Sequence, residues 1–151
     1  MYVKIATCRD GAIIPQRANP SDGLDFFVPL CAEPKTLKPG ENYPIPTGIK
    51  MEVPHGFGLF VKNKSGVAAK RCLVKGAELI DHGYKGEIFI DMHNIGTEDQ
   101  VIKPGEKISQ AVLLQMFVPS VQVVGEDELY LDTFLSSGRG EGSQGSTGTK
   151  I

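Results

Sequence analysis

Short apolar runs broken by Pro and Gly fill most of this chain, and apolar residues nowhere recur at i, i+3, i+4 and i+7 over a long stretch. A helical bundle needs that period to bury one face of each helix, whereas strands need only short runs of β-branched and aromatic side chains between turn formers. The pattern predicts an all-β chain. Its clearest strands are 2–7 (YVKIAT), 58–63 (GLFVKN), 87–94 (EIFIDMHN) and 108–118 (ISQAVLLQMFV). In the third, Ile88, Ile90 and Met92 alternate with Glu87, Asp91 and His93, as in a sheet with one dry and one wet face, and Phe89 breaks the alternation. Lys-Pro-Gly-Glu occurs at 38–41 and again at 103–106. Its proline presets φ and its glycine accepts φ > 0, the chemistry of a type II turn, so each copy is expected to turn the chain into a strand. SGVAAKR, 65–71, is the one convincing helix candidate, with Ser65 as its cap. Many short strands with frequent turns predict a jelly-roll or barrel-like closure. The apolar pattern stops near Ser136, which divides a β-rich core over 1–135 from a Gly-rich arm over 136–151.

A length of 151 residues fits one domain with a real core. The net charge of −2, with acids and bases interspersed, supplies no basic stripe, so nucleic acid is not expected as a partner. Cys8, Cys31 and Cys72 cannot all pair within one chain and show no CxxC spacing, which disfavours a disulfide framework and a structural zinc site and suits a reducing cytosol. The N-terminal MYVKIATCRDG has no apolar h-region, and no window reaches the length of a membrane span. The expectation is a cytoplasmic protein with no membrane partner.

Four segments and the arm carry the candidate chemistry. In GAELIDHGYKGE, 76–87, strand, turn and strand are expected with Asp81 near the tip and Tyr84 beside it. A carboxylate held there can act as general base on a water or merely bond turn amides, and the ring can stack on a sugar or base. NKSGVAAKR, 63–71, sets Lys64 and Ser65 at the start of the expected helix, where free N–H groups attract anions unless the site is an ordinary cap. In PGEKISQAVL, 104–113, Gln110 interrupts an apolar strand and can position a water or phosphate oxygen, or satisfy a backbone group. In SDGLDFFVP, 21–29, Asp22 and Asp25 flank Gly23, an arrangement suited to outer-sphere support of hydrated Mg²⁺ or to Asx turns. The closing GRGEGSQGSTGTKI, 138–151, combines glycine freedom with Arg139, Ser146, Thr147 and Lys150, donors suited to polyphosphate, although Gly/Ser-rich termini are commonly plain tails. His55, His82 and His93 show no metal-ligand spacing, and no GxSxG marks a serine nucleophile.

Taken in order, these segments resemble the five motifs of the homotrimeric dUTP pyrophosphatases, the dUTPases, over nearly the whole chain. NKSGVAAKRCLVKGAELIDHGYKGE resembles the second and third motifs with their usual separation, PGEKISQ the fourth and RGEGSQGSTG the fifth. The resemblance implies a jelly-roll-like protomer of β-clip type with one short helix, forming a trimer whose active sites are shared and closed by a C-terminal arm. It implies hydrolysis of dUTP to dUMP and pyrophosphate with Mg²⁺, limiting dUTP and supplying dUMP for thymidylate synthesis. Asp81 would activate the water that attacks the α-phosphorus, and Tyr84 would pack under the deoxyribose. Backbone groups of a hairpin around Gly76, Ala77 and Glu78 would read the uracil edge. Lys64, Ser65, Gly66 and Gln110 would meet the phosphates or the water, and Asp25 would support the metal's water shell. Arg139, Gly145, Ser146 and Thr147 would hold the γ-phosphate.

Two positions depart from the family pattern. Gln144 stands where the arm usually has phenylalanine, and Lys64 stands where arginine is usual, keeping the charge without the bidentate fork. Two other readings compete. The related dCTP deaminases share much of the fold but need a different carboxylate-centred site, and the Asp81–Tyr84 phrase speaks against them. A nucleotide-sensing protein would use a dUTP-bound arm to dock a regulatory partner.

Overall fold

The computed structural model describes residues 2–17 and 23–130. All-β architecture with one short helix holds across them. In chain order the strands are β1 (Lys4–Thr7), β2 (Gln16–Arg17), β3 (Leu24–Phe27), β4 (Lys35–Leu37), β5 (Asn42–Pro46), β6 (Ile49–Glu52) and β7 (Phe57–Asn63). Helix α1 (Ser65–Arg71) precedes β8 (Leu73–Lys75), β9 (Leu79–Ile80), β10 (Phe89–Asn94), β11 (Gln100–Ile102) and β12 (Lys107–Gln115).

The strands pair antiparallel in a jelly-roll-like arrangement of small sheets. A five-stranded sheet runs β2-β3-β12-β7-β9, a three-stranded one runs β5-β10-β8, and β1-β6 and β11-β4 form two-stranded ribbons. The Lys-Pro-Gly-Glu copies behave as their chemistry requires. Gly40 has φ of 80° and Gly105 of 77°, and the N–H groups of Glu41 and Glu106 donate to the carbonyls of Lys38 (3.0 Å) and Lys103 (3.3 Å). β5 and β12 begin directly afterwards.

Alternation along β10 is real. Ile90 and Met92 are buried, as is Ile88 just before the strand, while Phe89 on the other face is 44% exposed. With Phe26, Leu37, Ile45, Leu59 and Leu73 they belong to one core cluster drawn from both larger sheets. This cluster lies within the compact unit Met1–Val118; residues from Pro119 onward belong to a second unit. The described part of that second unit is exposed and carries one turn of 3-10 helix at Glu126–Glu128. The expected boundary near Leu135 falls outside the described residues.

Two local expectations differ. Lys64, not Ser65, caps α1: its backbone is extended (φ −84°, ψ 122°) and makes no side-chain cap bond. Its carbonyl accepts the Ala68 N–H at 2.9 Å, which places Ser65 already inside the helix with an exposed side chain. The hairpin expected around Gly76, Ala77 and Glu78 is not a paired ladder either. β8 pairs with β10, whereas β9 pairs with β7. The segment between β8 and β9 therefore crosses from one sheet to the other, while Leu73 and Ile80 both pack on the shared core.

Candidate active site

Asp81 opens a tight turn, Asp81-His82-Gly83-Tyr84, in which the Tyr84 N–H donates to the Asp81 carbonyl (3.3 Å) and Gly83 takes φ of 85°. A positive φ at the third position is the type II geometry that favours glycine. The turn follows β9, whose Ile80 pairs with Leu59 of β7, so the acid emerges at a sheet edge. Among the described residues the Asp81 side chain makes no hydrogen bond or ion pair, and it is exposed. It borders two clefts. One, of about 210 Å³, is shared with Tyr84, Ile80 and Phe89; the other, of about 540 Å³, is shared with His55, His82 and Met116.

Tyr84 is held from two sides. Its hydroxyl donates to the Glu87 carbonyl at 2.8 Å, and its ring lies where a Cβ on residue 86 would be, so Gly86 is what admits it. The two Glu87 carboxylate oxygens share the single Arg9 Nε–H (2.7 and 2.8 Å), and Oε1 also accepts the Gly48 N–H (2.8 Å). Burial works to raise the Glu87 pKa, but Arg9 and the Gly48 amide outweigh it and hold the carboxyl below its usual range.

A second cluster gathers other candidate chemistry of the sequence at the far end of β7. Asp25, 2% exposed, meets Lys64 Nζ through Oδ1 at 2.8 Å. Lys107 Nζ lies 3.1 Å from Oδ2. That approach is an ion pair without hydrogen-bond alignment, since Oδ2 is buried and has no hydrogen-bond donor. Burial pushes the Asp25 pKa up, and the two lysines together bring it below the ordinary carboxylate value. Gln110, opposite both Asp25 and Lys62 in register, donates from Nε2 to the Asn63 carbonyl at 3.1 Å. Ser65 and Gly66 are exposed beside it, and a Cβ at Gly66 would meet nothing within 4 Å.

The third group is the crossing segment at Gly76, Ala77 and Glu78. The Gly76 N–H donates to the Asp91 carbonyl (2.7 Å), and the Val61 N–H donates to the Glu78 carbonyl (2.8 Å). The Glu78 carboxylate pairs with Lys62 and with Lys75, the latter at 3.2 Å.

These groups are not all together in one chain. β9 runs antiparallel to β7, so the step from Ile80 to Asp81 leads away from Asn63. From Gly58, level with Asp81, to Asn63 is five residues, roughly 16 Å at about 3.3 Å per residue. Asp81 with Tyr84, and Asp25 with Lys64, Ser65 and Gln110, thus occupy opposite ends of one strand.

The family model described as dUTPase matches residues 10–148 of this chain. The chain belongs to the dUTPase family. The deoxyuridine 5'-triphosphate nucleotidohydrolase of Desulfitobacterium hafniense is 40% identical over 97% of this chain and 95% of its own length. That of Hahella chejuensis is 40% identical over 99% of this chain and 97% of its own. Among solved structures, a variant of the Staphylococcus bacteriophage 80alpha dUTPase with dUpNHpp is 24% identical. It matches with a TM-score of 0.85, over 98% of this chain and 99% of that one. A variant dUTPase from phage phi11 of S. aureus, reported with a structural Mg(II) ion, is 23% identical with a TM-score of 0.76, over 83% of this chain and 98% of that one.

Against the expected dUTPase site, Asp81 and Tyr84 stand together at one cleft, and Asp25, Lys64, Ser65, Gly66 and Gln110 stand together elsewhere. Lys64, expected at phosphate, bonds Asp25. Asp22, Arg139, Gly145, Ser146, Thr147 and Lys150 lie outside the described residues, as does Gln144. Among the described residues no three His, Cys, Asp or Glu side chains are grouped to hold a metal. Two supporting groups escaped the sequence reading: Lys107, which sits inside PGEKISQ but reaches Asp25 only through the β3–β12 register, and Asn63, whose Oδ1 accepts the Lys75 N–H at 2.8 Å. Both contacts join distant segments, so no local pattern signals them.

Proposed function

We propose that this dUTPase-family chain hydrolyses dUTP to dUMP and pyrophosphate, limiting dUTP and supplying dUMP for thymidylate synthesis. The observation that carries the reading is the Asp81 carboxylate, exposed to a cleft and without a hydrogen-bonding or ionic partner among the described residues, three positions from a clamped tyrosine ring. As general base, Asp81 takes a proton from a water; the resulting oxygen bonds to the α-phosphorus while the bond from that phosphorus to its bridging oxygen breaks and pyrophosphate leaves. Tyr84 underlies the deoxyribose and leaves no space for a 2'-hydroxyl. Backbone groups of Gly76, Ala77 and Glu78 read the uracil edge, and a wrong base leaves such groups unpaired, which discriminates strongly.

Ser65, Gly66 and Gln110 line the phosphate chain, with Lys64 acting through Asp25. Since they stand at the opposite end of β7 from Asp81, one complete site takes residues from more than one copy, in keeping with a homotrimer. Residues 136–151 form the arm that closes it, Arg139, Gly145, Ser146 and Thr147 gripping the γ-phosphate and excluding water. The donor set does not suit direct metal ligation, but the buried Asp25 Oδ2, lacking a hydrogen-bond donor, fits an outer-sphere contact to water on Mg²⁺. When bound, Mg²⁺ supplies charge neutralisation along the triphosphate. The setting consistent with this chemistry is the cytoplasm; no described helix is long and apolar enough to cross a membrane.

Purified protein with Mg²⁺ is expected to release pyrophosphate from dUTP and far less from dCTP, dTTP or UTP. Absence of dUTP turnover sinks the reading. Truncation before Gly138 is expected to collapse activity while leaving thermal stability nearly unchanged, and undiminished turnover of that truncation removes the arm from the mechanism.

A further inference from the structure

The crossing segment at 76–78 is fastened to both sheets, and its β10 side is built from side chains that the reaction itself does not use. Asp91 receives the Asn42 Nδ2 donor on Oδ1 at 3.0 Å, and its Oδ2 lies 2.8 Å from His93 Nε2. A Cβ at Gly76 would fall on that carboxylate and on the imidazole ring. The backbone at 76 therefore rests directly on the Asp91–His93 pair, with no atom between. The Asn42 amide lowers the Asp91 pKa most, burial opposes it, and His93 and the Ala77 N–H lower it further, so the carboxylate stays charged under the loop. On the β7 side Val61 and Lys62 hold Glu78, and Asn63 holds Lys75 at the end of β8 just before the loop. A loop fastened at both ends keeps its free backbone groups in one geometry, which is what reading a planar base edge by main-chain donors and acceptors requires.

We propose that Asp91 and His93 are positioning residues for base selection: they set the height and orientation of Gly76–Glu78 from beneath and so determine how well the segment distinguishes uracil from cytosine. This rests on the reading of 76–78 as the base-contacting segment. It leaves the hydrolytic step to Asp81.

The test compares full-length Asp91→Ala, His93→Leu and His93→Gln with the unaltered protein, using dUTP and dCTP as substrates. Asp91→Ala is expected to raise KM for dUTP about tenfold, keep kcat within about threefold, and lower the dUTP-to-dCTP ratio of kcat/KM about tenfold. His93→Leu moves the same quantities in the same direction, and His93→Gln, whose amide can still donate to Asp91, restores part of them. A purely structural role would lower Tm and leave the ratio alone, and that result overturns the proposal. Should Asp91→Ala fail to fold, Asp91→Asn is titrated with dUpNHpp by calorimetry, and unchanged affinity overturns it equally. Glu78→Pro, which removes a loop N–H that does not bond Asp91, separates the two layers. If it lowers the ratio while Asp91→Ala does not, only the positioning role fails; if it leaves the ratio intact, the base-contacting reading fails and takes this inference with it.

Discussion

Asp25 and Asp81 are two aspartates at opposite ends of β7 with opposite lives. Asp25 is buried and engaged by two lysines; Asp81 is exposed at a turn with no partner among the described residues. A buried carboxylate between cations is a fixed part of the scaffold, because its charge and theirs are mutually compensated. An unpartnered carboxylate beside a cleft is free to accept a proton from something that enters. The same side chain thus becomes a fastener or a reagent according to what surrounds it.

The strongest way to break this contrast is Asp81→Ala, for which kcat is expected to fall ~10²- to 10⁴-fold with Tm essentially unchanged. Undiminished turnover would end the assignment. Asp25→Ala should act through stability as well as through the Mg²⁺ requirement. It leaves Lys64 and Lys107 without their shared counter-charge, and since both lysine side chains are partly exposed the loss is expected at about 2 kcal/mol, read as a lower midpoint in urea. A midpoint equal to that of the unaltered chain would show that the lysine pair contributes nothing.

Acid sharpens the comparison further. The folded-state pKa of Asp25 lies below the ordinary 3.8, so its stabilisation is complete above that value and is lost as pH falls through it toward the folded pKa. Glu87 and Asp91 are lowered in the same sense and share that limb. Asp25→Asn is expected to make the fall of Tm between neutral and acid pH shallower, and an unchanged slope would show that Asp25 carries none of that fall. The smallest effect is expected from Gly83→Ala: φ of 85° there costs a side chain about 1 kcal/mol. Turnover should drop through a misplaced Asp81 and Tyr84 more than stability does, and equal losses in both would argue against the turn as an aiming device.

Much of this contrast was legible in the residue order. The Lys-Pro-Gly-Glu turns, helix 65–71 and the Asp81–Tyr84 spacing are local, and local chemistry decides them: proline and glycine dihedrals, helix propensity, and a type II turn at Gly83. The paired environment of Asp25 was not legible. Its partners are the α1 cap Lys64 and Lys107 of β12, and register between distant strands is set by packing of the whole core rather than by any neighbouring residue. The supposed hairpin between β8 and β9 failed for the same reason. Short apolar runs flanking a glycine read as paired strands, yet each run found its partner in a different sheet. Ser65 as a cap missed by one residue, since both Lys64 and Ser65 fit before the backbone angles are known.

The separation of acid and cradle along β7 has a genetic consequence on the shared-site reading. A cell carrying two versions of this gene, one lacking Asp81 and the other lacking Gln110, would assemble hybrids in which some pockets inherit both defects and others inherit neither. Two silent alleles would then complement each other, and a single damaged one would partly poison its healthy sibling.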